Sequence, residues 1–112
     1  MSKETSPFER VLELYEDSHQ GWHVTACQAC GRRFLEVWRE VGGYDIEDLW
    51  FFWAPVSPEE EALVAARFSR EVGEGMRMAR DIVESREHLV RSPMGSYGWS
   101  SATSEIGLRM YL

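Results

Sequence analysis

The sequence predicts an α+β fold: a small antiparallel sheet carrying a Cys-x-x-Cys-Gly turn, one N-terminal helix, and one or two helices after the sheet. Three observations predict it. Two stretches open with helix-start chemistry, Ser6-Pro7-Phe8-Glu9 and Ser57-Pro58-Glu59-Glu60. Between them lie segments rich in aromatic and β-branched residues, which suit a pleated surface. Glycine-bearing turns separate those segments. The chain has 112 residues, of which 44% are apolar, 12% aromatic and 28% charged. That is the length of one domain, 1–112, with apolar surface enough for one core. The composition excludes intrinsic disorder.

Each element has a local reason. Ser6 can cap a helix, Pro7 suits the first helical position, and Glu9 completes a capping box. Phe8, Val11, Leu12 and Tyr15 then fall at helical spacing, with Glu9, Glu13, Glu16 and Asp17 mostly opposite, so the first helix is expected to run to about Ser18–Gly21. Residues 22–27 alternate as a strand, with Trp22, Val24 and Ala26 on one side and His23, Thr25 and Cys27 on the other. Residues 33–41 fit either period; the strand reading is preferred and places Phe34 and Trp38 together. Residues 48–56 form the third strand, reached through a Gly42-Gly43 turn. Ser57 to Glu61 repeats the helix start with three glutamates in the first turn, where the helix dipole favours them. Gly73 and Gly75 weaken or split that helix, and a second helical stretch runs from Met76 to Arg86. Residues 87–101 read as two short strands around a Ser-Pro-Met-Gly-Ser turn. Ile106 to Leu112 are apolar enough to pack.

Cys27-Gln28-Ala29-Cys30-Gly31-Arg32-Arg33-Phe34 is the most specific stretch. Two thiolates in such a turn point at one centre, and the glycine leaves amides free to face the sulfurs. The motif resembles the knuckle of zinc-ribbon proteins, in which CxxCG is followed by a basic residue and an aromatic strand. The resemblance implies a hairpin built on the knuckle, joining the first two strands, and zinc as cofactor. A zinc ribbon carries a second such pair, and this chain has two cysteines in all. Structural zinc takes four ligands. The expected metal set is therefore Cys27, Cys30, His23 and His19, with His88 or a second copy of the chain as other sources; the alternative is a metal-free knuckle held by packing. A redox pair would place a helix straight after the motif. A nucleophilic Cys27 with His23 as its base would need an orienting group and an oxyanion site, which nothing marks.

Charge is unevenly spread. Twelve basic and nineteen acidic residues give a net charge of −7, which argues against nucleic acid as a partner. Residues 36–61 hold one arginine and eight acids, so this segment alone carries −7. Trp38, Tyr44, Trp50, Phe51, Phe52 and Trp53 lie within it. Aromatic anchors among carboxylates suit a basic protein partner, and clustered acids speed encounter. This is in general character similar to small acidic bacterial immunity and inhibitor proteins. The expected partner surface is Trp38, Tyr44, Asp45, Glu47, Asp48, Trp50 and Trp53.

The sequence supplies no glycine-rich phosphate loop and no catalytic constellation, so no enzymatic activity is expected. Arg67, Arg70, Arg77 and Arg80 interleave with Glu71, Glu74, Asp81 and Glu84 at helical spacing, which reads as intrahelical ion pairing. No apolar run reaches the length of a membrane span, and the first residues lack signal-peptide order. The expectation is a small cytoplasmic bacterial interaction domain that acts by stoichiometric binding, as an immunity protein or inhibitor of a basic effector. The alternative is a zinc-knuckle domain bound to nucleic acid or the transcription machinery.

Overall fold

The computed structural model describes residues 8–40, 49–92 and 95–100. In chain order these form β1 (Phe8–Glu16), β2 (Gln20–Cys27), β3 (Arg33–Glu40), β4 (Leu49–Pro55), α1 (Pro58–Arg70), α2 (Val72–Glu84), β5 (His88–Arg91) and β6 (Tyr97–Ser100). The strands make one six-stranded sheet in sequence order. Every neighbouring pair is antiparallel, and α1 and α2 form the connection from β4 to β5. The α+β class and the strands expected within 22–27, 33–41, 48–56 and 87–101 are those of the structure. None of the helices among the described residues is long and apolar enough to cross a membrane.

Strand parity divides this sheet into two unlike faces. Trp22, Val37, Phe52 and Val90 are cross-strand partners in one row. Trp22, Leu35, Val37, Phe52 and Ala54 pack with Val64 and Phe68 of α1 and Ala79 and Val83 of α2 into the apolar core. This is the helix face. The alternate residues make the inner face, where Phe8, Phe34, Phe51, Trp53 and Tyr97 form a chain of ring contacts. Phe8 stacks on Trp53 with ring centroids 4.9 Å apart. Their strands are β1 and β4, which a flat sheet would hold about 14 Å apart. The sheet therefore curls toward the inner face.

The N-terminal helix expected from Phe8 onward is corrected to a strand. β1 has two register shifts, between Arg10 and Leu12 and between Glu13 and Tyr15. Phe8, Arg10, Glu13 and Glu16 oppose Cys27, Thr25, His23 and Gly21, which are alternate residues of β2. One face of β1 thus carries residues spaced by two, three and three. Each extra residue at a bulge stretches the strand period, and the result imitates a helix. The cap expected at Ser6-Pro7 lies outside the described residues, as do the Gly42-Gly43 turn and Ile106 to Leu112.

The second helix start is as the sequence indicates. Ser57 accepts from the Glu60 amide at 3.1 Å, and the Glu60 carboxylate accepts from the Ser57 amide at 3.0 Å. Arg86, just beyond α2, adds a two-pronged bond to the same carboxylate at 2.8 and 2.7 Å and a bond to the Pro55 carbonyl at 2.9 Å. One guanidinium so ties the end of α2 to the start of α1 and the end of β4. The Arg86 contact, followed by the Ser57 amide, lowers Glu60 to a pKa of about 2. The break between the helices falls at Glu71, which is extended and serves as the C-cap of α1 and the N-cap of α2. Gly73 and Gly75 lie inside α2. Gly75 has a packing role, since a Cβ there would sit 2.4 Å from Phe68 Cγ.

Candidate functional site

The inner face buries the linked polar groups Glu36 and His23, whereas the helix face buries mainly hydrocarbon, with His88 and Arg39 among it. Glu36, at the centre of β3, is the hub. One carboxylate oxygen accepts from Trp53 Nε1 at 2.9 Å. The other accepts from Arg10 Nε at 2.8 Å and pairs with an Arg10 terminal nitrogen at 2.7 Å. Cross-strand register sets this up: Arg10 opposes Thr25, while His23, Glu36 and Trp53 share a row across β2, β3 and β4.

His23 lies beside this hub and is 2% exposed. Its Nε2 is 2.9 Å from a Glu16 oxygen, and its Nδ1 is 3.9 Å from Glu36. Burial, then the Arg10 charge, hold the ring below the ordinary histidine pKa, against the opposing pull of Glu36 and Glu16. A neutral ring that donates to Glu16 carries its proton on Nε2. Nδ1 is then a buried lone pair, without a hydrogen-bond partner, facing a carboxylate.

Glu13 joins this site from the next inner position of β1. The ligand atoms of Glu13, Glu16 and His23 all lie within 4.8 Å of one another, so the group could hold a metal ion. His23 is buried while both glutamates are exposed. Sequence reasoning missed Glu13 and Glu16 because a helix would turn them to solvent. The signal was the spacing of two, three and three, which fits a twice-bulged strand as well as a helix.

The expected four-ligand set is not assembled. Cys27 and Cys30 lie in the β2–β3 turn. His23 shares the face of Cys27 but is four residues away on an extended strand, about 13 Å. His19 is at the opposite end of β2, in the β1–β2 turn, where Nδ1 bonds a Glu40 oxygen at 2.7 Å. That contact raises the His19 pKa. His88 is buried on the helix face, with Nδ1 3.0 Å from the Arg86 carbonyl. The cysteine turn does join β2 and β3. The Gly31 amide donates to the Cys27 carbonyl at 2.7 Å and the Cys27 amide to the Arg32 carbonyl at 2.9 Å. Gly31 has φ +79°, a conformation that favours glycine.

The expected partner surface is corrected in part. Trp38 and Trp53 are buried, so neither is free to anchor a partner. Trp38 lies over Gly21, whose Cβ, if present, would fall 2.0 Å from the indole nitrogen. Trp50 packs against the helix-face core. Tyr44, Asp45, Glu47 and Asp48 lie outside the described residues. Of the five described acids of residues 36–61, Glu36, Glu60 and Glu61 pair with Arg10, Arg86 and Arg33, and Glu40 bonds the His19 ring. Among the described residues the exposed aromatics are instead Tyr97 and Trp99, at 46% and 59%, on the terminal strand β6. Sequence reasoning placed these in a strand without weighing them as anchors.

Compared with protein-family models, with curated proteins and with solved structures, the chain gives no match.

Proposed function

We propose that this chain is a small binding domain that acts by stoichiometric ligation, with a divalent cation of the zinc class as the ligand of its inner face. The supporting observation is the pair of nitrogens on His23: Nε2 turned to Glu16, and Nδ1 buried without a partner beside Glu36. Metal-bound histidines ordinarily donate their second ring N–H to a carboxylate. Ligation at Nε2 moves the ring proton to Nδ1, where a shift that shortens the 3.9 Å gap gives it Glu36 as acceptor. The mismatch of the metal-free ring is relieved by the same event. Glu36 is held in place for this by Arg10 and Trp53. Imidazole and carboxylate donors suit zinc, whose ligands lie about 3.3 Å apart at tetrahedral sites with 2.0–2.1 Å bonds. Small movements of the exposed Glu13 and Glu16 side chains reach that spacing, with Glu16 drawing back slightly from its 2.9 Å contact with His23.

Calorimetric titration with zinc chloride tests this, using protein that carries Cys27→Ser and Cys30→Ser so that thiols contribute nothing. The expected result is one zinc per chain. Glu13→Gln with Glu16→Gln should weaken binding about a hundredfold or more, and Glu36→Gln about tenfold. Zinc binding unchanged by the double glutamate substitution rejects the site.

A second reading is favoured by Tyr97 and Trp99. Exposed on an edge strand, they are the residue types that dominate interface hot spots. They support the expectation of a protein partner, a basic effector held by an immunity or inhibitor protein. The product of the adjacent gene, purified and measured by surface plasmon resonance, is the partner to test. Tyr97→Ser with Trp99→Ser should weaken that complex about thirtyfold, and charge reversal at Asp45, Glu47 and Asp48 should slow association. Unchanged affinity in the aromatic double variant excludes β6 as the contact.

A further inference from the structure

The inner-face site leaves the two cysteines without a role, and they occupy a different part of the molecule. The β2–β3 turn brings both thiols to one side. The backbone amides of Cys30, Ala29 and Gly31 and the Cys30 thiol surround the Cys27 sulfur. Cys27 is half-buried and Cys30 exposed. At Gly31 the turn opens onto space, with nothing within 4 Å of where a Cβ would lie.

The donor count decides what such a turn can hold. Among the described residues, the only convergent group of three or more histidine, cysteine or acidic side chains is Glu13, Glu16 and His23. The cysteine pair is therefore a two-sulfur donor set among the described residues. Two donors leave zinc half-coordinated. They satisfy a monovalent d10 cation, for which soft thiolates are the preferred ligands. The charge balance is favourable too. A monovalent ion with two thiolates carries one net negative charge, which the turn amides face directly. The exposed Arg32 adjoins the turn, and Arg33 follows, bonded to Glu61 at 3.2 Å.

We propose that Cys27 and Cys30 form a two-thiolate site for a thiophilic monovalent d10 cation, copper(I), separate from the inner-face site. Binding forms two copper–sulfur bonds and breaks two S–H bonds, releasing two protons to solvent. No electron is transferred, so the metal enters and leaves as copper(I).

The test is anaerobic competition between the full chain and the coloured bis-bicinchoninate complex of copper(I), read as loss of colour. The expected result is one copper per chain, for the parent and for the Glu13→Gln, Glu16→Gln variant alike. Cys27→Ser and the exposed Cys30→Ser should each weaken copper binding about a thousandfold. Sedimentation should show a monomer with and without copper. Undiminished competition by both serine variants overturns the proposal. So does one copper per two chains with dimerisation, which would make the second copy a required ligand source. Neither outcome bears on zinc at the inner face, because that titration uses protein lacking both thiols.

Discussion

The two faces of the sheet are built from alternate residues of the same strands, and they are held together by different physics. In β4, Phe52 is fully buried in a hydrocarbon core beneath the helices. Its neighbour Trp53 is almost as buried on the other side, but its indole N–H ends on a carboxylate. In β3, Val37 and Leu35 face the helices while Glu36 between them faces Arg10, Trp53 and His23. The helix-covered face is built mainly from apolar groups of suitable size, with His88 at its margin bonded to the Arg86 carbonyl. A face without a helix among the described residues buries its central polar groups by curling, and each must find a partner. Two inner-face atoms among the described residues do not, Thr25 Oγ1 and His23 Nδ1, and the second lies beside the candidate metal group.

This contrast is open to measurement by urea denaturation. Phe52→Ala should produce the largest loss, about 4 kcal/mol, since it opens a cavity under the helical hairpin. Glu36→Gln should cost less, about 2 kcal/mol. It keeps an oxygen for Trp53 but removes the charge that Arg10 pairs with. The Arg10 side chain is 45% exposed and can turn to water, which limits the loss. Equal losses would make the inner face a second core of the same weight. A Glu36→Gln variant as stable as the parent would show that the ionic hub contributes no stability.

The helix face was largely legible in the sequence. Leu35, Val37, Phe52 and Ala54 alternate without interruption through β3 and β4, and Ser57 to Glu61 carries a complete capping box. β1 was not legible. Its two bulges are set by pairing with β2, and no local rule announces where an extra residue falls. That single misreading hid the candidate metal group, because Glu13 and Glu16 face His23 only when β1 is a strand. The cysteine motif was legible as a turn between strands. Its separation from His19 and His23 was not, since it follows from hairpin length and register. The burial of Trp38 and Trp53 depended on the curl of the sheet, a property that strand alternation does not encode.

The smallest expected effect is a pH dependence that divides the histidines. His23 is held below its ordinary pKa of 6.5 by burial and by Arg10. Its unfolded form therefore binds a proton at higher pH than its folded form. The stability that accompanies its neutral state is fully present above pH 6.5 and is lost as pH falls toward the folded value. His19 has the opposite sign. Glu40 raises its pKa, so its contribution is present below pH 6.5 and is lost as pH rises through the folded value. Between pH 7.5 and 5.5 the two oppose each other, while Glu60, at about 2, titrates well below the window. Urea midpoints across that range should fall more steeply with acidification in His19→Gln than in the parent, and less steeply in His23→Gln. Parallel slopes in the parent and His23→Gln would mean that the buried ring protonates as readily in the folded chain as in the unfolded one. The inner face would then be wet, and its difference from the helix face one of composition alone.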